Sequence, residues 1–221
     1  YICMDKQHQL MNILLQKAHR KSLTADSIVL IKTSSDLVGL GFNEVEQKYI
    51  KREHKDKKEI IEVNRFKNRT LIVYSNAKGT HNSKIESFRK DGNNALQILN
   101  KAKIDRVVIN TVNSSKVETL SFIEGMVLGN YQFLKYKTGD NKKQNSLNKI
   151  EIYSKDVSKK DIEEFQIVMD AVCYARDYVN EPDSYMTAVQ LSKEAQALGQ
   201  SSGAKVEVFN KKKIESLKMG G

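Results

Sequence analysis

The chain has 221 residues, 39% of them apolar and 29% charged, with a formal net charge of +10. That length suits one large domain, or one domain and part of a second, with apolar material enough for a core. No window approaches about 18 uninterrupted apolar residues, which excludes a helical membrane span, and the opening Tyr1-Ile2-Cys3-Met4 lacks the basic-then-apolar run of a signal peptide. Two cysteines, Cys3 and Cys173, cannot build a disulfide framework. A reducing, cytoplasmic setting is the expectation. The charge is uneven: residues 1–149 carry 27 Lys/Arg against 15 Asp/Glu, and residues 150–221 carry 10 against 12. That asymmetry marks a change of module near residue 150 and raises the question of an acidic partner for the first module.

In chain order, Gln9–Lys17 places Leu10, Ile13 and Leu14 at helical spacing. Ser27–Lys32 is a continuous apolar run, as in a strand buried on both faces. Glu44–Lys58 is a charged helix, in whole or in part. Two strands follow, Glu59–Val63 and Thr70–Tyr74, across the polar turn Asn64–Arg69. Ser83–Ala102 carries Ile85, Phe88, Ala95, Leu96 and Leu99 on one helical face, Arg106–Asn110 is another buried strand, and Thr119–Phe133 is helical again. Alternating strands and helices predict a three-layer α/β domain with a mixed, mostly parallel sheet and helices on both faces.

Lys135–Lys149 is polar and basic, an exposed loop before the strand Lys149–Tyr153. A helix then opens at Ser158, with Asp161 at a weak capping-box spacing, and carries Ile162, Phe165, Val168, Met169, Val172 and Ala175 on one face. It ends at Pro182, the only proline, because the residue before proline is pushed out of helical geometry. Thr187 and Gln190 form a better capping box for a helix to about Gly199. Lys205–Phe209 alternates as a strand, and Asn210 caps a short helix through Leu217.

The residues offer no catalytic constellation. His8, His19, His54 and His81 have no metal-ligand spacing with one another or with the cysteines. Neither a nucleophile elbow nor a phosphate loop is present. Gly39-Leu40-Gly41 suggests a tight turn. Asn110-Thr111-Val112-Asn113-Ser114 faintly resembles the ligand loop of ADP-ribose-binding macrodomains, without their following glycines. Gly125 and Gly129, four apart in a helix, suggest close packing against a neighbour. The segments Lys51–Lys58 and Lys135–Lys149 could meet phosphates, but most of the cations are lysines interleaved with acids, with no aromatic stacking motif, so a solvated face is expected.

Three ordered blocks resemble the leucine aminopeptidase (cytosol aminopeptidase) family. Phe122–Lys137 is similar to the family's Glu-Gly-x-x-Leu-Gly-x-Tyr-x-Phe-x-x-Tyr-Lys segment. Ala175–Pro182 is similar to its Ala-Arg-Asp-Leu-Val-Asn-Glu-Pro segment, and Lys205–Val208 leading to Leu217–Gly220 to the strand and short helix before its metal site. The chain departs from the pattern at Asp183-Ser184-Tyr185 and at Ala188. The resemblance implies a macrodomain-like amino-terminal domain over 1–154, a linker helix and junction over 155–182, and the truncated start of a metallopeptidase domain over 183–221. It further implies a parent that removes amino-terminal residues from peptides with two divalent metals, zinc or manganese, and assembles as a hexamer. Catalytic, metal and cofactor-binding residues would then lie outside this chain, whose own role would be scaffolding its catalytic domain and assembly. The alternatives are a basic nucleic-acid-binding or regulatory module, or a degenerate ADP-ribose-binding macrodomain.

Overall fold

The computed structural model of the chain describes residues 13–75, 79–139 and 142–219. It divides into a larger unit ending at Cys173 and a smaller one beginning at Tyr174.

The larger unit is built on six strands: β1 (Leu14–Lys17), β2 (Ser27–Ile31), β3 (Ile60–Asn64), β4 (Arg69–Tyr74), β5 (Arg106–Thr111) and β6 (Lys149–Tyr153). Their order across the sheet is β1-β6-β5-β2-β4-β3. All neighbours are parallel except β3 and β4, an antiparallel hairpin that leaves β3 on the edge. The apolar run of β2 is explained by its position. Ile28 and Leu30 face one core with Leu96, Phe122, Ile123 and Met126, while Val29 and Ile31 face a second with Leu37, Phe42 and Ile50. A central parallel strand covered on both sides needs apolar residues at every position, so it shows no alternation.

Helices α1 (Glu44–Lys55), α2 (His81–Lys101), α3 (Lys116–Asn130) and α4 (Lys159–Asn180) supply the covering layers, α1 on the second core and α2, α3 and the first part of α4 on the other. Asn43, Thr80 and Ser115 cap the first three by accepting the N–H of the third helical residue. Helices α2 and α3 cross at their glycines. A Cβ on Gly92 would fall on the Phe122 carbonyl oxygen, and a Cβ on Gly125 on the carbonyl of Arg89. Gly129 faces the Asn93 side chain. The packing role expected of Gly125 and Gly129 is what the fold uses, with Gly92 as an additional member.

Two expected elements are corrected. Leu14–Lys17 is a strand, not the end of a helix. Ile13 and Leu15 are buried and Leu14 is exposed, a period of two, and pairing of Leu15 with Ile150 overrides the helical reading. Residues 9–12 of that expected helix lie outside the described residues. Lys205–Phe209 is not a strand either. Among the described residues no strand pairs with it, and Val206 and Val208 are 39% and 41% exposed.

In the smaller unit, α4 runs on through Tyr174 and Tyr178 to Asn180, and α5 (Ala188–Ser202) and α6 (Lys211–Ser216) follow. The hydroxyls of Tyr174 and Tyr178 reach the same Glu194 oxygen at 3.2 and 3.5 Å. Burial raises the pKa of both tyrosines, and the Glu194 charge adds to it. The stronger-looking capping box is only half made. Thr187 accepts the Gln190 N–H, but the Gln190 amide turns forward to Glu194. The weaker one closes: Ser158 Oγ accepts the Asp161 N–H at 3.1 Å, and Asp161 accepts the Ser158 N–H at 2.8 Å.

Asp91, half-buried on α2, is pushed up to about 6, chiefly by burial and then by the charge of Glu59. A pKa raised on folding stabilises the fold in acid, and that contribution is lost as pH rises through about 6. Asp91→Asn should therefore raise stability near neutral pH by about 1 kcal/mol, a figure discounted for the solvent contact of this carboxylate, and change little below pH ~4. Urea unfolding at the two pH values checks this; a loss of stability at neutral pH contradicts it.

Candidate functional site

In an open, mostly parallel α/β sheet, ligands bind where neighbouring strands send their chains to opposite faces, at the strands' carboxyl ends. Here that place lies between β2 and β5. The exit of β2 leads to the 3-10 turn Ser34–Leu37 and α1 on one face, and the exit of β5 leads to α3 on the other.

The polar groups at this crevice bind one another. Asp36 Oδ2 accepts the backbone N–H groups of Lys32 at 2.9 Å and Thr33 at 3.0 Å, and Oδ1 accepts the Asn113 amide at 2.7 Å. Partial burial works to raise the Asp36 pKa, but these donors together hold it below the usual value. Asn113 sits at φ 55, a left-handed conformation that asparagine tolerates, and this aims its amide across the crevice. Lys32 Nζ lies 3.1 Å from both Glu118 oxygens, so it joins the exit of β2 to the first turn of α3. Burial opposes ionisation of Glu118, and the Ser115 N–H and Lys32 more than offset it. Beside them, Ser34 shares a 2.9 Å hydrogen bond with the Tyr74 hydroxyl, and the His54 ring stacks on Tyr74 at 3.6 Å.

Asn110, three residues upstream of Asn113 and within β5, is 1% exposed. Its amide accepts the Ser22 N–H and donates to the Ser22 carbonyl, so it braces the loop before β2. The Asn110–Ser114 segment thus spends its side-chain amides on the fold. Gly39 and Gly41 adopt φ 74 and 81, the expected tight turn, and their carbonyls accept from Lys21 and Arg65. This arrangement aligns no nucleophile with a base. Its chemistry is bracing.

Of the histidines, His19, His54 and His81 fall apart in the fold and His8 lies outside the described residues, as does Cys3. Cys173, on α4, is buried. No group of three or more His, Cys, Asp or Glu among the described residues could hold a metal ion, so the residues described here do not fit a dimetal centre and no metal-dependent step is assigned to them. The basic segment 51–58 forms the end of α1, where Lys48, Lys51, Arg52 and Lys55 share one exposed face at helical spacing. The segment 135–149 contains a well-anchored turn. Asn100 Oδ1 accepts the N–H groups of Ser146 at 3.1 Å and Leu147 at 3.0 Å, its amide donates to Asn130 Oδ1, and Asn130 in turn donates to the Leu147 carbonyl. Sequence reading missed Asp36, Lys32, Glu118 and Asn100; the capping-box spacings Thr33-x-x-Asp36 and Ser115-x-x-Glu118 mark two of them.

The fold is that of a mutant tomato leucine aminopeptidase, with a TM-score of 0.71 over 95% of this chain and 46% of that one at 14% identity. The bottromycin maturation enzyme BotP gives 0.64 over 87% and 41%, at 15% identity. No protein-family profile matches the chain. Curated relatives are the probable cytosol aminopeptidases of Clostridium perfringens, 36% identical over 108 residues, and Aquifex aeolicus, 30% identical over 140 residues. The matches cover 45% and 61% of this chain but only 21% and 27% of those relatives. This likeness, with the shared fold, supports the leucine aminopeptidase (cytosol aminopeptidase) family for this chain over the stretch it shares with those relatives. No helix of the described residues is long and apolar enough to cross a membrane.

Proposed function

We propose that this chain is the non-catalytic front part of a leucyl-type metallo-aminopeptidase that removes amino-terminal residues from peptides in the cytoplasm. In this reading it serves as a scaffold for its own catalytic domain and for hexamer assembly. The observation that carries the reading is the identity to proteins named probable cytosol aminopeptidase, confined to about a quarter of their length. The mutual pairing of Asp36, Asn113, Lys32 and Glu118 supports a structural role for the larger unit. The two divalent metals, zinc or manganese, would be held by residues other than those described here, and bound there they would act as Lewis acid and activate the attacking water.

Metal binding tests the proposal apart from activity. Equilibrium dialysis against zinc or manganese should leave this chain with substoichiometric metal, whereas the intact gene product should take up two ions per polypeptide. Stoichiometric, tight binding by this chain alone would overturn the division of labour.

A further inference from the structure

β1 ends the sheet among the described residues, and its outer edge should present unpaired backbone groups. The N–H groups of Leu14 and Ala18 point inward to the carbonyls of Asn148 and Ile152 on the β6 side, both at 2.9 Å. The alternate residues Ile13 and Leu15 therefore turn their backbone groups away from β6. Two of those outward groups meet one side chain, Gln166 of α4. Its Oε1 accepts the Leu15 N–H at 2.8 Å, and its Nε2 donates to the Ile13 carbonyl at 3.3 Å. In a parallel pair, a single residue of the neighbouring strand makes this same double contact, to the carbonyl of one residue and the N–H two positions on. The Gln166 amide thus stands where a peptide group of a seventh strand would stand.

The orientation of the amide is fixed by chemistry. Nε2 also donates to Asp170 Oδ1 at 2.9 Å, one turn along α4. A backbone N–H only donates and a backbone carbonyl only accepts, so the oxygen must face Leu15 and the nitrogen must face Ile13. We infer that Gln166 is a plug for the outer edge of β1: a side-chain amide that satisfies the edge in place of another strand and blocks strand addition there by a second copy of this chain. The edge otherwise suits such pairing. The chain entering β1 is apolar at Ile13, Leu14 and Leu15, and Leu14 is 48% exposed. The inference stands independently of the aminopeptidase reading.

Gln166→Ala in the full chain removes both contacts. Amide exchange at Leu15 should then accelerate about fivefold or more, the worth of one hydrogen bond, while Leu14 and Ala18 keep their protection. Sedimentation velocity should show a concentration-dependent association step beyond that of the wild type. Gln166→Glu combined with Asp170→Asn keeps the length and the acceptor for Leu15 without setting two carboxylates face to face, so Leu15 should stay protected and association should stay at the wild-type level. Unchanged Leu15 exchange or unchanged association in the alanine variant overturns the plug. So does joint loss of protection at Leu14, Leu15 and Ala18, which would make Gln166 a support for β1 instead. Association of the double variant with Leu15 still protected overturns it as well.

Discussion

Gly125→Ala should destabilise the larger unit by about 3 kcal/mol or more, the upper end of what overpacking a core costs. Two effects of the extra methyl oppose one another. In an isolated helix, alanine is better than glycine by about 1 kcal/mol. In the folded unit, the new Cβ would fall on the backbone carbonyl of Arg89, and the reciprocal contact of Gly92 with the Phe122 carbonyl leaves the pair no direction in which to slide. A backbone carbonyl inside α2 cannot rotate away, so the steric term wins. Gly129→Ala is the internal comparison, because its obstacle is the Asn93 side chain, which has rotamers available. Its cost should be about 1 kcal/mol or less. Urea unfolding of both variants reads the difference; a Gly125→Ala protein as stable as wild type would mean that the two helices stand farther apart than described.

Asn100→Ala should cost about 3 kcal/mol. One side-chain oxygen satisfies the Ser146 and Leu147 N–H groups, and the same amide donates to Asn130. Truncation strands two partly buried donors and an acceptor at once, and leaving such groups without partners costs more than their pairing contributes. Asn100→Asp keeps the acceptor but places a carboxylate oxygen against Asn130 Oδ1, so it should lose less, about 1–2 kcal/mol. Hydrogen exchange at Leu147 should rise in the alanine variant and stay slow in the aspartate variant. Slow exchange in the alanine variant would place the anchoring of this turn elsewhere.

Much of the fold was legible because the central strands are buried on both faces. Ser27–Lys32 and Arg106–Asn110 read as apolar runs for that reason, and the helices of the larger unit carried the helical period. β1 was not legible. Four residues with two adjacent leucines fit either period, and pairing with β6, some 135 positions away, decides between them. Lys205–Phe209 failed in the other direction, since alternation is only a capacity for pairing. The crevice between β2 and β5 was visible only as the suggestive Asn110–Ser114 loop. Asp36, Asn100 and Gln166 look in sequence like ordinary polar positions, because what gives them roles are backbone groups brought up by the tertiary fold. For Gln166 the separation is 151 residues.

The most direct test of the proposed division of labour is hydrolysis of a leucyl chromogenic amide with added manganese or zinc, measured on this chain and on the intact gene product. Turnover by the intact product and none by this chain is the expected result. Metal-dependent turnover by this chain alone, or by neither protein, would contradict the account.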